Sequence, residues 1–461
     1  MLNTDPTLRV ESDALGMVTL PADALYGPQT ARAIANFDVS RVALSDFPSF
    51  VRALAYVKKA AAEANGRLGL LEVSLRESII AACDEILADR HHDAFAVGMF
   101  QGGAGTSSNM NANEVIANLA LQRRGLPLGS YDVIHPNDHV NLSQSTNDVY
   151  PTAIRIALLF GNRDLLQAIG RLAETFETRA SEFSTIRKLG RTQLQDAVPM
   201  TLGQEFQAFA STLREDIERL EELSKLLGQI NLGGTAIGTS INASPEYQSL
   251  VVPILAEMTG LPLVATTDLI EASWDTGVFV LYSGMLKRSA TKLSKIANDL
   301  RLLSSGPRGG IGEINLPPLQ PGSSIMPGKV NPVLPELVSQ VAFQVIGNDV
   351  TVTMASEAGQ LQLNAMEPVI LYNILNSVSL LQRTCDAFAT RCVSGITANP
   401  DTCSSHLERS TALVTELVPL VGYEKASQIA YRILGENRSA GEILSEERSF
   451  ALAKLGSELE P

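Results

Sequence analysis

The residues best suited to chemistry lie in one short stretch, Gly322-Ser323-Ser324-Ile325-Met326-Pro327-Gly328-Lys329-Val330-Asn331-Pro332. Two hydroxyls, a lysine and an asparagine fall within nine positions, broken by glycines and prolines that preclude a regular helix. Gly322 and Gly328 can take positive φ and bring the backbone close to a ligand, while Met326 can lie over it as an apolar cover. Such a loop offers backbone N–H groups, one fixed positive charge and an oxygen able to act as nucleophile or base, which together suit a small anion. A turn-rich linker between helices is the plainer reading, but linkers rarely hold this many polar side chains.

Three other polar stretches stand out. Gln101-Gly102-Gly103-Ala104-Gly105-Thr106 is a glycine-rich bend opening a helical pattern that carries Val115, Ile116, Leu119 and Leu121. Exposed N–H groups at a helix start suit an anion, although glycine-rich bends are common. Positions 135–148 gather Asn, Ser and Asp, ending in Ser145-Thr146-Asn147-Asp148, just before a helical run from about 151 to 183. Capping and turn formation account for that composition at least as readily as a site does. The third stretch, 190–199, interrupts the helical pattern and contains Thr192 and Gln193.

The elements that must position these residues are helices. Residues 1 to about 40 read as an irregular arm with a short strand at 17–20. Helical patterns follow at about 47–65, 71–90, 277–303, 336–356 and 366–394. The clearest has Leu202, Phe206, Phe209, Leu213, Ile217, Leu220, Leu223 and Leu226 stepping by three or four, with Glu215, Asp216, Arg219 and Glu222 between them. A stripe that long marks a helix in a bundle or coiled coil. Positions 233–239 read as a flexible turn. From about 396 the pattern shortens, with a break at Asn399-Pro400 and Gly422-Tyr423 between two short helices, before the charged Glu446-Glu447-Arg448. The expected organisation is an N-terminal domain at 1–140 (arm plus helices), a central long-helix bundle at 141–395 and a small helical domain at 396–461. The polar stretches lie far apart in sequence, so a shared site needs the chain to fold back repeatedly or neighbouring chains to contribute.

Composition narrows the possibilities. At 461 residues, with 45% hydrophobic and only 5% aromatic residues, the core must be aliphatic, which favours packed helices. A formal charge of −14 argues against nucleic acid and makes the local cation Lys329 more informative. Cys83, Cys385, Cys392 and Cys403 show no CxxC spacing and read as reduced thiols of a cytoplasmic protein. A polar N-terminus and no apolar run of 18 residues argue against secretion and a membrane. The five histidines lack metal-ligand spacing, and His91-His92 reads as a solvated pair, so no metal or cofactor is expected.

The stretch 322–332 resembles, at eleven consecutive residues, the signature loop of the aspartase/fumarase superfamily. Tyr26 to Phe37 matches the YGxQTxRAxxNF pattern of that family, and the resemblance runs over about residues 10 to 450 with the motifs in order. It implies a mostly helical, three-domain fold whose long central helices build a twenty-helix core in a homotetramer, each active site drawing on three subunits. It implies Ser323 as the catalytic base, with Ser324, Lys329 and Asn331 on a substrate carboxylate. Thr106 becomes a ligand contact, and Ser145, Thr146 and Asn147 contacts for the substrate carboxylate and amino group. Thr192 and Gln193 join the substrate-binding set; many relatives carry histidine where Gln193 stands. The family's chemistry is β-elimination from a succinate skeleton, yielding fumarate without a cofactor. Positions 331–336, 357–368 and 101–106 resemble aspartate ammonia-lyases more than fumarases, so the expected reaction converts L-aspartate to fumarate and ammonia. A class II fumarase is the alternative. A non-catalytic relative such as the δ-crystallins would have no need of Ser323, Lys329 and Asn331.

Overall fold

A computed structural model describes residues 5–436, 438, 441–443 and 445–446, so Glu447 and Arg448 lie outside the described residues. The N-terminal arm is more ordered than expected. Strand β1 (Leu8–Asp13) pairs antiparallel with β2 (Gly16–Pro21), Leu8 opposite Pro21. Helix α1 (Pro28–Asn36) follows, with no side-chain cap from its own N-cap residue, Gly27. The cap comes instead from Glu114, whose Oε2 accepts the N–H groups of Gly27 and Thr30 at 2.9 and 3.1 Å, and whose Oε1 accepts that of Gln29 at 2.9 Å. A carboxylate at a helix N-terminus satisfies orphan donors and complements the dipole.

The helices then run as α2 (Pro48–Arg67), α3 (Val73–Leu87), α4 (Thr106–Arg123) and α5 (Thr146–Glu182). They continue as α6 (Leu202–Leu227), α7 (Tyr247–Thr259), the short α8 (Glu271–Trp274), α9 (Gly277–Leu303), α10 (Val333–Glu357) and α11 (Glu367–Arg391). Four shorter helices follow: α12 (Pro400–Arg409), α13 (Ala412–Thr415), α14 (Val418–Val421) and α15 (Tyr423–Glu436). Among the described residues no helix is long and apolar enough to cross a membrane.

Two expectations need correction. The polar interruption at 190–199 is a β-hairpin, β3 (Arg187–Thr192) against β4 (Gln195–Thr201), with Thr192 opposite Gln195. Its turn residues Gln193 and Leu194 both take positive φ, +54° and +62°, without the Gly or Asn that normally announces such a turn. Asp216, read as one of the charges flanking an apolar stripe, is fully buried and accepts Lys292 Nζ at 2.8 Å.

The chain forms two compact units. The first comprises 5–166, 218–288 and 343–381. Its centre is α2, where Phe50, Val51, Leu54, Val57, Ala60, Ala61 and Ala64 are all fully buried, and the small alanines admit α3 and α7 closely. The second comprises 167–217, 289–342 and the described residues of 382–446. Phe176 anchors its core, with ring centroids 5.9, 5.6 and 6.3 Å from Phe206, Phe209 and Phe388. Each of α5, α6, α9, α10 and α11 contributes a length to either unit.

Candidate active site

In the first unit, the start of α5 is both a cap and a candidate binding surface. Ser145 Oγ accepts the N–H of Asn147 at 3.2 Å, and Asp148 Oδ1 accepts that of Ser145 at 2.9 Å, the reciprocal pattern of a capping box. The other oxygen of Asp148 accepts the N–H groups of Gly233 and Thr235, both at 3.0 Å. The turn at 233–239 is therefore tied down rather than free. Asn147 adds a second tie, its Nδ2 donating to the Ala236 carbonyl at 2.8 Å.

Pro151 stands inside α5, five residues after its start. Lacking an N–H, it leaves the carbonyl four residues earlier without a helical donor. That carbonyl is Asn147's, and Asn231 Nδ2 fills the gap at 3.1 Å. The proline thus keeps the first turn of α5 open to a neighbouring segment.

Beneath this turn lies a buried polar layer. Lys58 Nζ, with no exposed surface, donates to Asn141 Oδ1 at 2.9 Å and Gln144 Oε1 at 3.0 Å. Asn109 Nδ2 donates to Thr146 Oγ1 at 3.1 Å. Burial pulls the Lys58 ammonium down to about 7 against the pull of Asp148, and burial pushes Asp148 up to about 6 despite its three N–H donors. Sequence reasoning passed over Lys58. The signal was a lysine inside an Ala- and Val-rich helix with Asn65 two turns on; Asn65 faces the same layer, donating to the Leu142 carbonyl at 2.9 Å and accepting Ser143 Oγ at 2.7 Å. Thr106 opens α4, exposed, its Oγ1 donating to the Gly103 carbonyl at 2.7 Å. A Cβ on Gly105 would lie 2.4 Å from the Tyr150 ring, so the start of α4 packs directly on that of α5.

The second unit holds the loop at 322–332. Gly328 takes φ +81° as expected. Gly322 is needed for space instead: a Cβ there would lie 2.0 Å from the Lys329 carbonyl oxygen. Asn331 Nδ2 donates to the Gly322 carbonyl at 3.0 Å, so one of its amide hydrogens closes the loop. Ser323 is half-buried, and its Oγ accepts the N–H of Ile325 at 3.3 Å. Ser324, Met326 and Lys329 are exposed, and among the described residues no carboxylate pairs with Lys329. A groove of about 710 Å³ is lined by Arg301, Asn315, Lys329, Asn331 and Glu336 among others. Thr192 and Gln193 are exposed at the tip of the β3–β4 hairpin.

The candidate residues thus gather as two sets. Thr106, Ser145, Thr146 and Asn147 belong to the first unit; Thr192, Gln193, Ser323, Ser324, Lys329 and Asn331 belong to the second. His91 and His92 are each satisfied separately, His91 Nε2 by Glu85 at 3.0 Å and His92 Nε2 by the Ile86 carbonyl at 2.8 Å. No group of three His, Cys, Asp or Glu among the described residues could hold a metal ion.

Residues 16–347 match the protein family described as Lyase. The aspartate ammonia-lyase of Pseudomonas aeruginosa is 57% identical over 454 residues, covering 98% of this chain and 96% of that protein. The aspartate ammonia-lyase of Escherichia coli strain K12 is 52% identical over 449 residues, covering 97% and 94%. Among solved structures, a fumarate lyase:delta crystallin from Brucella melitensis bound to cobalt aligns with a TM-score of 0.93 at 59% identity, covering 95% of this chain and 96% of that one. A class II fumarase from Schistosoma mansoni aligns with a TM-score of 0.91 at 33% identity, covering 96% and 95%.

Proposed function

This chain belongs to the lyase family, and from that premise we propose that it catalyses the reversible anti elimination of ammonia from L-aspartate to give fumarate. The observation that carries this reading is the full-length match to aspartate ammonia-lyases, well above the identity to the class II fumarase. The fold, mostly α with long central helices, is that of the same lyases.

Chemically, Ser323 Oγ takes a proton from C3 of aspartate, and the C–H electron pair passes into the adjacent carboxylate as an aci-carboxylate dianion. Collapse of that dianion forms the C2–C3 double bond and expels ammonia from C2, which leaves neutral because the substrate amine is an ammonium. A neutral serine is a poor base, so the field that stabilises the dianion must also stabilise the alkoxide. The support for Ser323 is its place on a loop that offers the Ile325 N–H and carries Lys329 without a competing carboxylate. Lys329 and Ser324 then hold the carboxylate next to the scissile C–H, with the amide hydrogen of Asn331 that Gly322 does not take. Thr106, Ser145, Thr146, Asn147, Thr192 and Gln193 orient the second carboxylate and the ammonium.

We further infer a homotetramer with sites shared between subunits, acting in the cytoplasm. Phe343, Val350 and Met354 leave an exposed apolar stripe along α10, which supports assembly. The division of the candidate residues into two sets supports sharing. The four cysteines are buried free thiols, in keeping with a reducing compartment.

The test is direct. Purified protein is incubated with fumarate and ammonium, or with fumarate and water alone, and the product is identified. Aspartate from the first mixture is expected; malate as the main product would replace this reading with the hydratase. Ser323→Ala should lower kcat by orders of magnitude with fold and assembly intact, and a mutant keeping more than about a tenth of kcat removes Ser323 from the role of base.

A further inference from the structure

One buried charged cluster in the second unit has no part in the chemistry above. The side chain of Glu313 is 0% exposed. Its Oε2 forms an ion pair with Lys188 Nζ at 2.8 Å, and its Oε1 lies 2.8 Å from Arg191 Nη1 and 3.0 Å from His406 Nδ1. Lys188 is also buried and meets Glu205 Oε2 at 2.5 Å. Burial alone would push the Glu313 carboxyl up. The charge of Lys188, with hydrogen bonds from Lys188 and His406 and the charge of Arg191, outweighs it and holds the group below the ordinary carboxylate range.

Three parts of the chain meet on this carboxylate. Lys188 and Arg191 lie on β3, and Thr192 and Gln193 follow Arg191 directly. Glu313 precedes the segment that leads into the Ser323 loop. That segment is fastened to the C-terminal region, with Ile314 paired to Ala398 and Asn315 to Thr397. The Glu313 carbonyl accepts the N–H of Asn399 at 2.9 Å, and the Gly312 carbonyl accepts Asn399 Nδ2 at 2.8 Å. His406 comes from α12. Its Nδ1 also lies 3.3 Å from Arg191 Nη2, and one ring nitrogen cannot both accept from Arg191 and donate to Glu313. Glu313 and Arg191 therefore compete for His406.

We propose that Glu313 is a positioning residue for the elimination. Its carboxylate fixes Lys188 and Arg191, and with them the turn that presents Thr192 and Gln193. Its backbone fixes the approach to the Ser323 loop. Through His406 the C-terminal helix α12 is coupled to both, which gives the C-terminal region a role in catalysis. The inference rests on aspartate as the substrate and on Thr192 and Gln193 as substrate contacts.

The experiment compares wild type, Glu313→Gln and His406→Gln as assembled full-length proteins, following fumarate release from L-aspartate. Glu313→Gln keeps the side-chain shape and removes the charge that Lys188 and Arg191 share. It should raise KM about tenfold or more and lower kcat by a similar factor, at unchanged assembly. His406→Gln leaves Glu313 paired with both cations, so the fold should hold while KM rises about threefold and kcat stays near wild type. A purely structural role would lower the active fraction and leave KM unchanged in both. KM within about twofold of wild type in both variants overturns the proposal. If Glu313→Gln fails to fold, His406→Gln decides alone by the same criterion. The wild-type rate is read first: no turnover of aspartate defeats the lyase reading and this inference with it, whereas a normal wild-type rate with unshifted KM defeats only the positioning role.

Discussion

The side-chain amide of Asn331 donates to the carbonyl oxygen of Gly322 at 3.0 Å, closing the intervening loop into a ring. On the same ring, the Lys329 carbonyl occupies the space that a Gly322 side chain would need. The placement of Ser323, Ser324 and Lys329 therefore depends on a contact that makes no chemistry itself.

Asn331→Ala should open this ring. The expected loss in kcat/KM for aspartate is about a hundredfold, or roughly 2.7 kcal/mol, from misplaced groups and the loss of the proposed substrate contact. Because the loop is largely exposed, Tm should shift by no more than about 2 °C. Steady-state kinetics and a thermal melt check both halves, and a mutant with more than about a tenth of wild-type kcat/KM would count against the loop's closure as a catalytic requirement.

Shared sites predict complementation. Ser323→Ala and Asn147→Ala should each be inactive alone, since one lacks the proposed base and the other a proposed contact from the first unit. Subunit exchange between them should restore part of the wild-type rate through hybrid sites. Confirmed exchange, by mass spectrometry of differently tagged chains, with no recovered activity would place each site within one chain.

As a proposed substrate contact, Gln193 bears on the choice of leaving group. An amide cannot donate or accept a proton at neutral pH, and loss of hydroxide from malate needs a general acid. Ammonia departs neutral and needs only hydrogen bonds that orient it. We expect kcat/KM for malate at least about a hundredfold below that for aspartate, a gap of roughly 2.7 kcal/mol. Comparable rates on the two substrates would favour the hydratase.

Glu367, at the start of α11, should make stability pH-dependent. It is 4% exposed, and burial pushes its carboxyl up to about 8, with Arg155 offsetting only part of the shift. From an ordinary value of 4.5, the unfolded chain loses this proton first, so between about pH 4.5 and 8 the folded state holds a proton that the unfolded state has released. Stability from this group is present at low pH and is lost as pH rises through that window. Glu367→Gln mimics the protonated form at every pH. It should match wild type near pH 4.5 and exceed it near pH 8 by on the order of a few kcal/mol in urea unfolding. The same difference at both pH values would show that Glu367 does not titrate as its burial requires.

Helix identity was legible in the sequence because an apolar stripe repeating every three or four residues is a local property. The long helices start within a few residues of where that period begins, apart from α5, whose first turn precedes Pro151. The polar groups of the 322–332 loop were equally legible, since residue types alone provide its hydroxyls and cation; their part in the elimination belongs to the proposed function. The β3–β4 hairpin was not, because Gln193 and Leu194 make its turn with side chains that usually avoid positive φ.

What only the tertiary structure decided are the contacts that local period cannot encode. Glu114 caps α1 across more than 80 residues. Asp148 joins the start of α5 to Gly233 and Thr235, 85 and 87 residues on. Asp216 and Glu313 look in sequence like ordinary surface charges, yet both are fully buried, as is Lys58. A side chain's charge is written in its residue type. The dielectric and the partners that set what the charge does arise only when distant segments close around it, because burial removes the water that would otherwise screen it.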